Sequence, residues 1–469
     1  MVIALPVNNY NKKKGERMKI KTCKSDIQTS HYTVEAARQI KETTTNRQPA
    51  FDVDELEALM PGYQMWDNWA VRLENGNLAK LFGHKVLIAL VRPRDADFSQ
   101  GERIAYFYSK DGIHYHVGGL LFDGSALYEG IREWSGSTIL REDGKLQTFY
   151  TVSYGAEVDG VWQTVQRFAT AIQTPSLDEN GVLRVSTPIH HKLLGGACEP
   201  DGQLYETPAQ ASAREKALPT AHSRAAGSDQ TENNCFRDPF FYKHPKTGIA
   251  YIIFEGNTGE AFNPAGVVAD AYVGQRNVGR KGFAPTADML KANGCIGVIE
   301  LTSEDYTYGV FRKPLVTSNL VTDEIERINA FHKDGKFYLF CCGHGNKNAL
   351  NKENPDLVNR DYMLGFVAKD FGEKMVPLNG SGVVVQQKSG GEAYGGQAQN
   401  QQYCYSWIIV PDDEAYLTGR FKCLSYANYS KLEDGTIAPV MGIAPTLEIE
   451  LKGSKTRIVG MKYDIKPVK

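Results

Sequence analysis

The chain has 469 residues, with 53 Lys and Arg against 55 Asp and Glu and a net charge of −2. A balance this even carries no nucleic-acid footprint, and no apolar run reaches membrane-spanning length. The eight cysteines show no CxxC or Cys/His metal spacing, so they read mostly as free, buried thiols suited to synthesis in a reducing compartment.

Residues 1–50 are polar and low in aromatics, with a helical candidate around Tyr32–Glu42 and an isolated basic patch at Lys12–Lys14. They read as a flexible arm, or as a strap lying along the folded body. The short apolar start precedes its charges, the reverse order of a secretory signal. Asp52–Met60 has early acidic residues and apolar periodicity, which predicts a short helix ending at Pro61-Gly62. From 51 to 469 strands dominate and form one catalytic unit. Val86–Val91 reads as a strand buried on both faces, followed by Ile104–Tyr108 and His116–Phe122. Thr138–Val152 is a hairpin around Glu142-Asp143-Gly144, and Trp162–Ile172 a further strand. The segment 195–233 has no clear period and reads as a long loop. Phe240–Phe254 is another hairpin, 262–293 a loop with a short helix, and Cys295–Leu301 and Tyr308–Val316 outer strands. A loop at 345–360 precedes Tyr362–Val367, Lys388–Gln402 reads as a polar rim loop, and strands follow at Ala415–Tyr426, Pro445–Leu451 and 456–464.

A repeat runs through these elements. Asp67, Ser135 and Glu326 each have a turn glycine nine residues on (Gly76, Gly144, Gly335), and Asp238 has Gly248 ten residues on. Tyr405 leads through a short strand to Pro411-Asp412-Asp413, with Glu414 nine residues on. Each polar origin is followed by strand, turn and strand. Five such units predict an all-β, five-bladed β-propeller whose polar origins gather in a central funnel.

The residues gathered there suit chemistry on a glycosidic bond, where a retaining reaction uses two carboxyl groups roughly 5–5.5 Å apart. Asp67, short and held between Trp66 and Trp69, suits the nucleophile. Glu326, longer and beside Glu324, suits the acid/base, because a like charge nearby raises a carboxyl pKa. Asp238 beside Arg237 should stay ionised and suits hydrogen bonding to sugar hydroxyls or stabilising a positive transition state. The same Arg237-Asp238 pair also reads as a local ion pair at the head of a strand. Trp134-Ser135-Gly136 supplies a stacking wall and a hydroxyl, or a turn. His344 could point back to the mouth or be structural; His114 and His116 read as structural.

With these residues assembled, the chain resembles the levansucrase/inulosucrase family of fructosyltransferases, glycoside hydrolase family 68. The matching motifs are Trp66-Asp67-Asn68-Trp69, Glu133-Trp134-Ser135-Gly136-Ser137, Arg237-Asp238-Pro239, Phe254-Glu255-Gly256-Asn257-Thr258-Gly259, Asp323-Glu324-Ile325-Glu326-Arg327, Tyr405-Ser406 and Ala444-Pro445-Thr446-Leu447. They occur in family order from about residue 60 to 450. The resemblance implies Asp67 as nucleophile of a fructosyl-enzyme, Asp238 as transition-state stabiliser and Glu326 as acid/base. It implies sucrose binding by Trp66, Trp134, Ser135, Arg237, Glu324, Arg327, His344 and Tyr405. His344 matches the Gram-negative type, where Gram-positive members carry an arginine.

Gram-positive members also bind a structural calcium near the aspartate that matches Asp323. The remaining ligands are not matched in this sequence, so the expectation is no metal or other cofactor, with a structural calcium near Asp323 as the alternative. The expected partners are sucrose and fructan acceptors, on a monomer that is secreted without a recognisable signal peptide, with the cytoplasm as the alternative. The competing readings are an invertase-like β-fructofuranosidase, a non-catalytic carbohydrate-binding propeller, and an inverting furanosidase with a wider carboxylate gap.

Overall fold

A computed structural model describes residues 26–96, 101–123, 125–127, 131–218, 234–263, 270–274, 283–358, 360–388 and 401–468. Among the described residues its strands form five five-stranded sheets, mostly of antiparallel neighbours, arranged as a five-bladed β-propeller, and two small two-stranded sheets beside them. Each blade runs outward from an inner strand: Tyr63–Ala70, Arg132–Leu140, Phe236–Lys243, Glu326–Lys333 and Cys404–Val410 in blades 1 to 5. The polar origins read from the sequence all lie on these five inner strands. The ring closes where Lys466–Pro467 pairs in parallel with His114–Tyr115, on the outer strand of blade 1.

Blades pack on each other through aromatic rings between the sheets. Phe168 stacks on Phe236 at 4.1 Å between blades 2 and 3, and Phe331 on Phe421 at 4.8 Å between blades 4 and 5. Large rings bury much apolar surface for little rotamer entropy, which suits wedge-shaped gaps between twisted sheets.

Every inner strand carries the same defect. In blades 1, 3, 4 and 5 four residues face three on the neighbouring strand: Met65 to Asn68, Arg237 to Phe240, Glu326 to Asn329, and Tyr405 to Ile408. In blade 2 three residues, Trp134 to Gly136, face two. Each is a one-residue bulge, which breaks the alternation of side chains and re-aims them. Asp238, Arg327 and Ser406 take positive φ there (56°, 56° and 63°), a conformation that costs a non-glycine residue roughly 1–3 kcal/mol.

The turn glycines are explained in blades 2 to 4, where Gly144, Gly248 and Gly335 close hairpins at positive φ. Blade 1 differs: before its second strand the chain sends Arg72–Leu73 across to pair in parallel with Ile139–Leu140 of blade 2. Blade 5 differs too. The expected strand from Ala415 begins as helix Asp413–Thr418, capped by the Asp412 side chain and by Gly419 at φ 74°, and the strand starts at Arg420.

Three further expectations are corrected. Segment 195–233 contains the helix Pro208–Ala217, opened by a capping box in which Thr207 and Gln210 satisfy each other's backbone N–H groups. The helix expected over Asp52–Met60 shrinks to a single 3₁₀ turn, Val53–Glu55, because Glu57 is drawn into a bridge with Lys431. The helix near Tyr32–Glu42 shrinks to Val34–Ala37. Of the N-terminal segment, residues 26–50 form a strap: Ser30–His31 adds to blade 3, Arg47 bridges to Gln386 of blade 4, and Tyr32, Val34 and Ile40 are buried. The Lys12–Lys14 patch and nearly all of the 388–402 rim loop lie outside the described residues.

Candidate active site

The bulges bring side chains from all five blades to one end of the axis. Asp67 and Glu326 remain open to solvent, each with 19% of its side chain exposed, while Asp238 is buried. Asp67 Oδ2 accepts the Ser135 hydroxyl, which ties blade 1 to blade 2. Asp238 Oδ2 accepts the Arg327 N–H at 2.8 Å. The Arg327 side chain runs across the ring, donates to the Asn68 carbonyl at 2.8 Å and brings its Nε to 3.9 Å from Asp67 Oδ1. One arginine thus meets carboxylates from two other blades, Asp238 through its backbone N–H and Asp67 through its side chain.

Arg237 overturns the local ion-pair reading. The bulge turns its side chain away from Asp238, to Glu255 Oε2 at 2.8 Å, Glu326 Oε1 at 3.0 Å and Glu324 Oε2 at 3.4 Å. Asp238 stays ionised at neutral pH but by a narrower margin than an arginine neighbour would give. Burial pushes its carboxyl up to about 6, against the pull of Arg327, and the charge of Asp67 adds to the rise.

Glu326 is held on its other oxygen: the Tyr405 hydroxyl donates to Oε2 at 2.6 Å. His344 stacks on Tyr405 with ring centroids 4.0 Å apart, and its Nε2 lies 3.7 Å from Glu326 Oε2. Glu324 is buried and receives Lys347. The two tryptophans beside Asp67 divide their roles. Trp69 is 1% exposed and donates to Thr138 Oγ1 at 3.1 Å, so it is core; Trp66 is half-buried with the Arg92 guanidinium 5.9 Å from its ring. Trp134, also half-buried, has Arg132 at 4.9 Å and Arg237 at 5.9 Å, and its Nε1 donates to Glu102.

Ten of the eleven candidate residues are therefore linked into one neighbourhood, and Trp66 adjoins it in the chain next to Asp67. Sequence reading missed Glu255, Lys347 and Glu102 as members. Glu255 is fully buried, raised well above the ordinary carboxylate range by burial, and accepts Arg237 Nε at 2.8 Å and the Ile325 N–H at 3.1 Å. It sits inside a motif already noted, so its charge in an apolar strand was the available signal. Lys347 and Glu102 carry no such mark.

Among the described residues, two groups have the spacing to hold a metal ion: Glu324, Glu326 and His344, and His244, His332 and Asp370. Arg237 and Lys347 already supply cations to the first. In the second, His244 Nδ1 accepts the N–H groups of Lys246 and Thr247 at 3.1 and 3.3 Å, so its proton sits on Nε2 and points at Asp370 Oδ1, 3.1 Å away. A ring so held has no lone pair for a metal.

Calcium near Asp323 fares no better. Calcium takes six to eight oxygens. Here Arg214 from helix Pro208–Ala217 donates to both carboxylate oxygens of Glu206, at 2.9 and 2.7 Å, and to the Lys291 carbonyl. Burial would lower the basicity of Arg214, but Glu206, Asp323 and Glu215 outweigh it and raise its pKa. Asp323 Oδ1 is buried without a hydrogen bond among the described groups, facing the field of this guanidinium. The residues present do not fit a calcium ion; the chain supplies its own cation.

The family model for levansucrase/invertase, glycoside hydrolase family 68, matches residues 18–464. A levansucrase of Bacillus amyloliquefaciens is 29% identical over 473 residues, covering 94% of this chain and 90% of its own. An extracellular sucrase of Zymomonas mobilis is 28% identical over 84% of each chain. The crystal structure of a levansucrase complexed with sucrose superposes with a TM-score of 0.74 at 25% identity, over 94% of this chain and 98% of that one.

Proposed function

The chain belongs to the levansucrase/invertase family, glycoside hydrolase family 68, and on that premise we propose that it is a fructosyltransferase that cleaves sucrose, releases glucose and passes the fructosyl unit to fructan, sucrose or water. The observation that carries this reading is the convergence of Asp67, Asp238 and Glu326 from blades 1, 3 and 4 on one mouth, with Arg327 tied to the first two and Arg237 to the third.

In this reading the Asp67 carboxylate attacks C2 of the fructosyl unit, forming a C–O bond as the bond to glucose breaks. Glu326 gives its proton to the departing glucosyl oxygen. In the second half Glu326 takes the proton of an acceptor hydroxyl, that oxygen bonds to C2, and Asp67 is released. Asp238, ionised, opposes the positive charge that develops at C2. Ser135 and Arg327 hold Asp67 in place; Tyr405, Arg237 and Glu255 orient Glu326. Trp66, Trp134, Glu324 and His344 form the walls that recognise the sugar.

One chain supplies every group named, which supports action as a monomer. The extracellular sucrase among its relatives supports action outside the cell. No metal or other cofactor enters the reaction, and Arg214 takes the part of a structural cation.

Hydrolysis to free fructose is the second reading, favoured by the same extracellular sucrase. Purified protein incubated with sucrose, with glucose and fructose followed separately, decides between them. Glucose in clear excess over fructose supports transfer. Equal amounts make the chain an invertase-like hydrolase, and no glucose leaves a non-catalytic propeller.

A further inference from the structure

Asp361 lies one strand out from the axis, on Arg360–Ala368 of blade 4, in register opposite His344. It is only 3% exposed and is surrounded by donors. His344 Nδ1 lies 3.1 Å from its Oδ1, which also accepts the Gly345 N–H at 3.2 Å; the Tyr403 hydroxyl donates to Oδ2 at 2.7 Å. With Nδ1 anchored on this side, Nε2 faces the mouth, 3.7 Å from Glu326 Oε2 and 4.0 Å from Glu324 Oε1. The ring face rests on Tyr405, and Arg237 and Lys347 reach the opposite oxygens of the two glutamates. Among the described residues, the ionisable groups around His344 include Asp361 behind it, Glu324 and Glu326 before it, Tyr405 on its face, and two cations beyond the glutamates.

We propose that Asp361 is a positioning residue that keeps His344 protonated, so that the histidine presents a standing positive donor to Glu324, Glu326 and the sugar between them. This deepens the sucrose reading of the site and rests on it. The geometry is that of a buried carboxylate–imidazolium pair: one nitrogen is fixed by the acid and the other is aimed at its task. Burial alone would lower the imidazole pKa; Asp361, by charge and by hydrogen bond, and then Glu324 and Glu326 reverse this and raise it to about 9. The cation persists through the neutral range and is lost as pH rises through that value. Asp361→Asn keeps one oxygen for the Gly345 N–H and turns its amide NH2 toward the Tyr403 hydroxyl, which can accept it; the charge is removed, which leaves burial to pull His344 down.

The test follows the His344 ring by NMR against pH in histidine-labelled protein, assigned with His344→Gln, beside pH profiles of glucose release from sucrose. In Asp361→Asn the His344 midpoint should fall by about one unit or more, and the alkaline limb of kcat/KM should move with it. Activity should then stay within about threefold of the parent near pH 5.5, drop about twofold or more near pH 8 and about fivefold or more near pH 9. In a His344→Arg background, where the charge no longer depends on a carboxylate, Asp361→Asn should shift no limb. An unchanged midpoint, or an equal loss at every pH, would reduce Asp361 to a packing role and overturn the proposal. A parent protein that releases no glucose would overturn the sucrose reading instead, while the NMR midpoints would still decide the role of Asp361.

Discussion

Replacing Arg214 with methionine removes one member of a buried ion pair and leaves the other in place. The side chains of Arg214 and Glu206 are 9% and 5% exposed, so water screens their attraction little. Arg214 makes two contacts to the Glu206 carboxylate, at 2.9 and 2.7 Å, and a third to the Lys291 carbonyl. Breaking such a pair from one side costs about 3–5 kcal/mol. Asn293 still donates to Glu206 at 3.1 Å after the change, so the lower end, about 3 kcal/mol, is expected. A loss of that size moves a urea midpoint by about 1 M or less, because m grows with chain size, and is read by tryptophan fluorescence. Glu206→Gln combined with Arg214→Met should recover part of it, because no unpaired charge then remains. The parent midpoint should be the same in EDTA and in added calcium. A shift under about 1 kcal/mol, or a parent that loses stability in EDTA and regains it with calcium, would refute Arg214 as the cation of this site.

Asp67→Ala should lower glucose release from sucrose by on the order of 10⁴-fold with an unchanged melting curve, and near-normal release would remove Asp67 as nucleophile. Ser135→Ala, which deletes one donor to that carboxylate, should lower kcat/KM by about 10–100-fold; no change would leave Ser135 as a turn residue. Asp238 is raised from its ordinary range to about 6, so its folded form is favoured by protonation: that stability is full below about pH 4 and is lost as pH rises through about 6. Asp238→Asn should therefore be inactive yet more stable than the parent near pH 7.5, by up to about 3 kcal/mol, with the gap closing near pH 4; a gap independent of pH would contradict the shift. His344→Ala should slow glucose release and change the ratio of polymer to free fructose still more; only if both stayed constant would His344 return to a structural role.

The blade count and the inner strands were legible because turn chemistry is local. Gly144, Gly248 and Gly335 sit at positive φ in hairpins, and a short glycine turn at fixed distance from a polar residue is visible without any tertiary contact. Two helices were legible in principle and overlooked: Thr207 and Gln210 spell a capping box, and Asp412 with Gly419 brackets the other. The bulges were not legible. Nothing in the letters says that Arg327 and Ser406 stand at positive φ, since that strain is imposed by packing around the axis. The bulge is also why adjacency misled for Arg237 and Asp238, whose side chains part company at the residue where the strand is re-aimed.

What a single blade cannot encode is which charge meets which. Arg237 of blade 3 reaches Glu326 of blade 4, Arg327 of blade 4 nears Asp67 of blade 1, and Tyr405 of blade 5 donates to Glu326. Each contact joins strands more than 75 residues apart in the chain, and the one from Arg327 to blade 1 forms only when the ring is closed. The ionisation of the site, down to the raised pKa of Asp238, is thus a property of closure rather than of any motif. The pairing of Lys466–Pro467 with the edge of blade 1, about as far from the carboxylates as the sequence allows, belongs to the same chain of causes as the chemistry they perform.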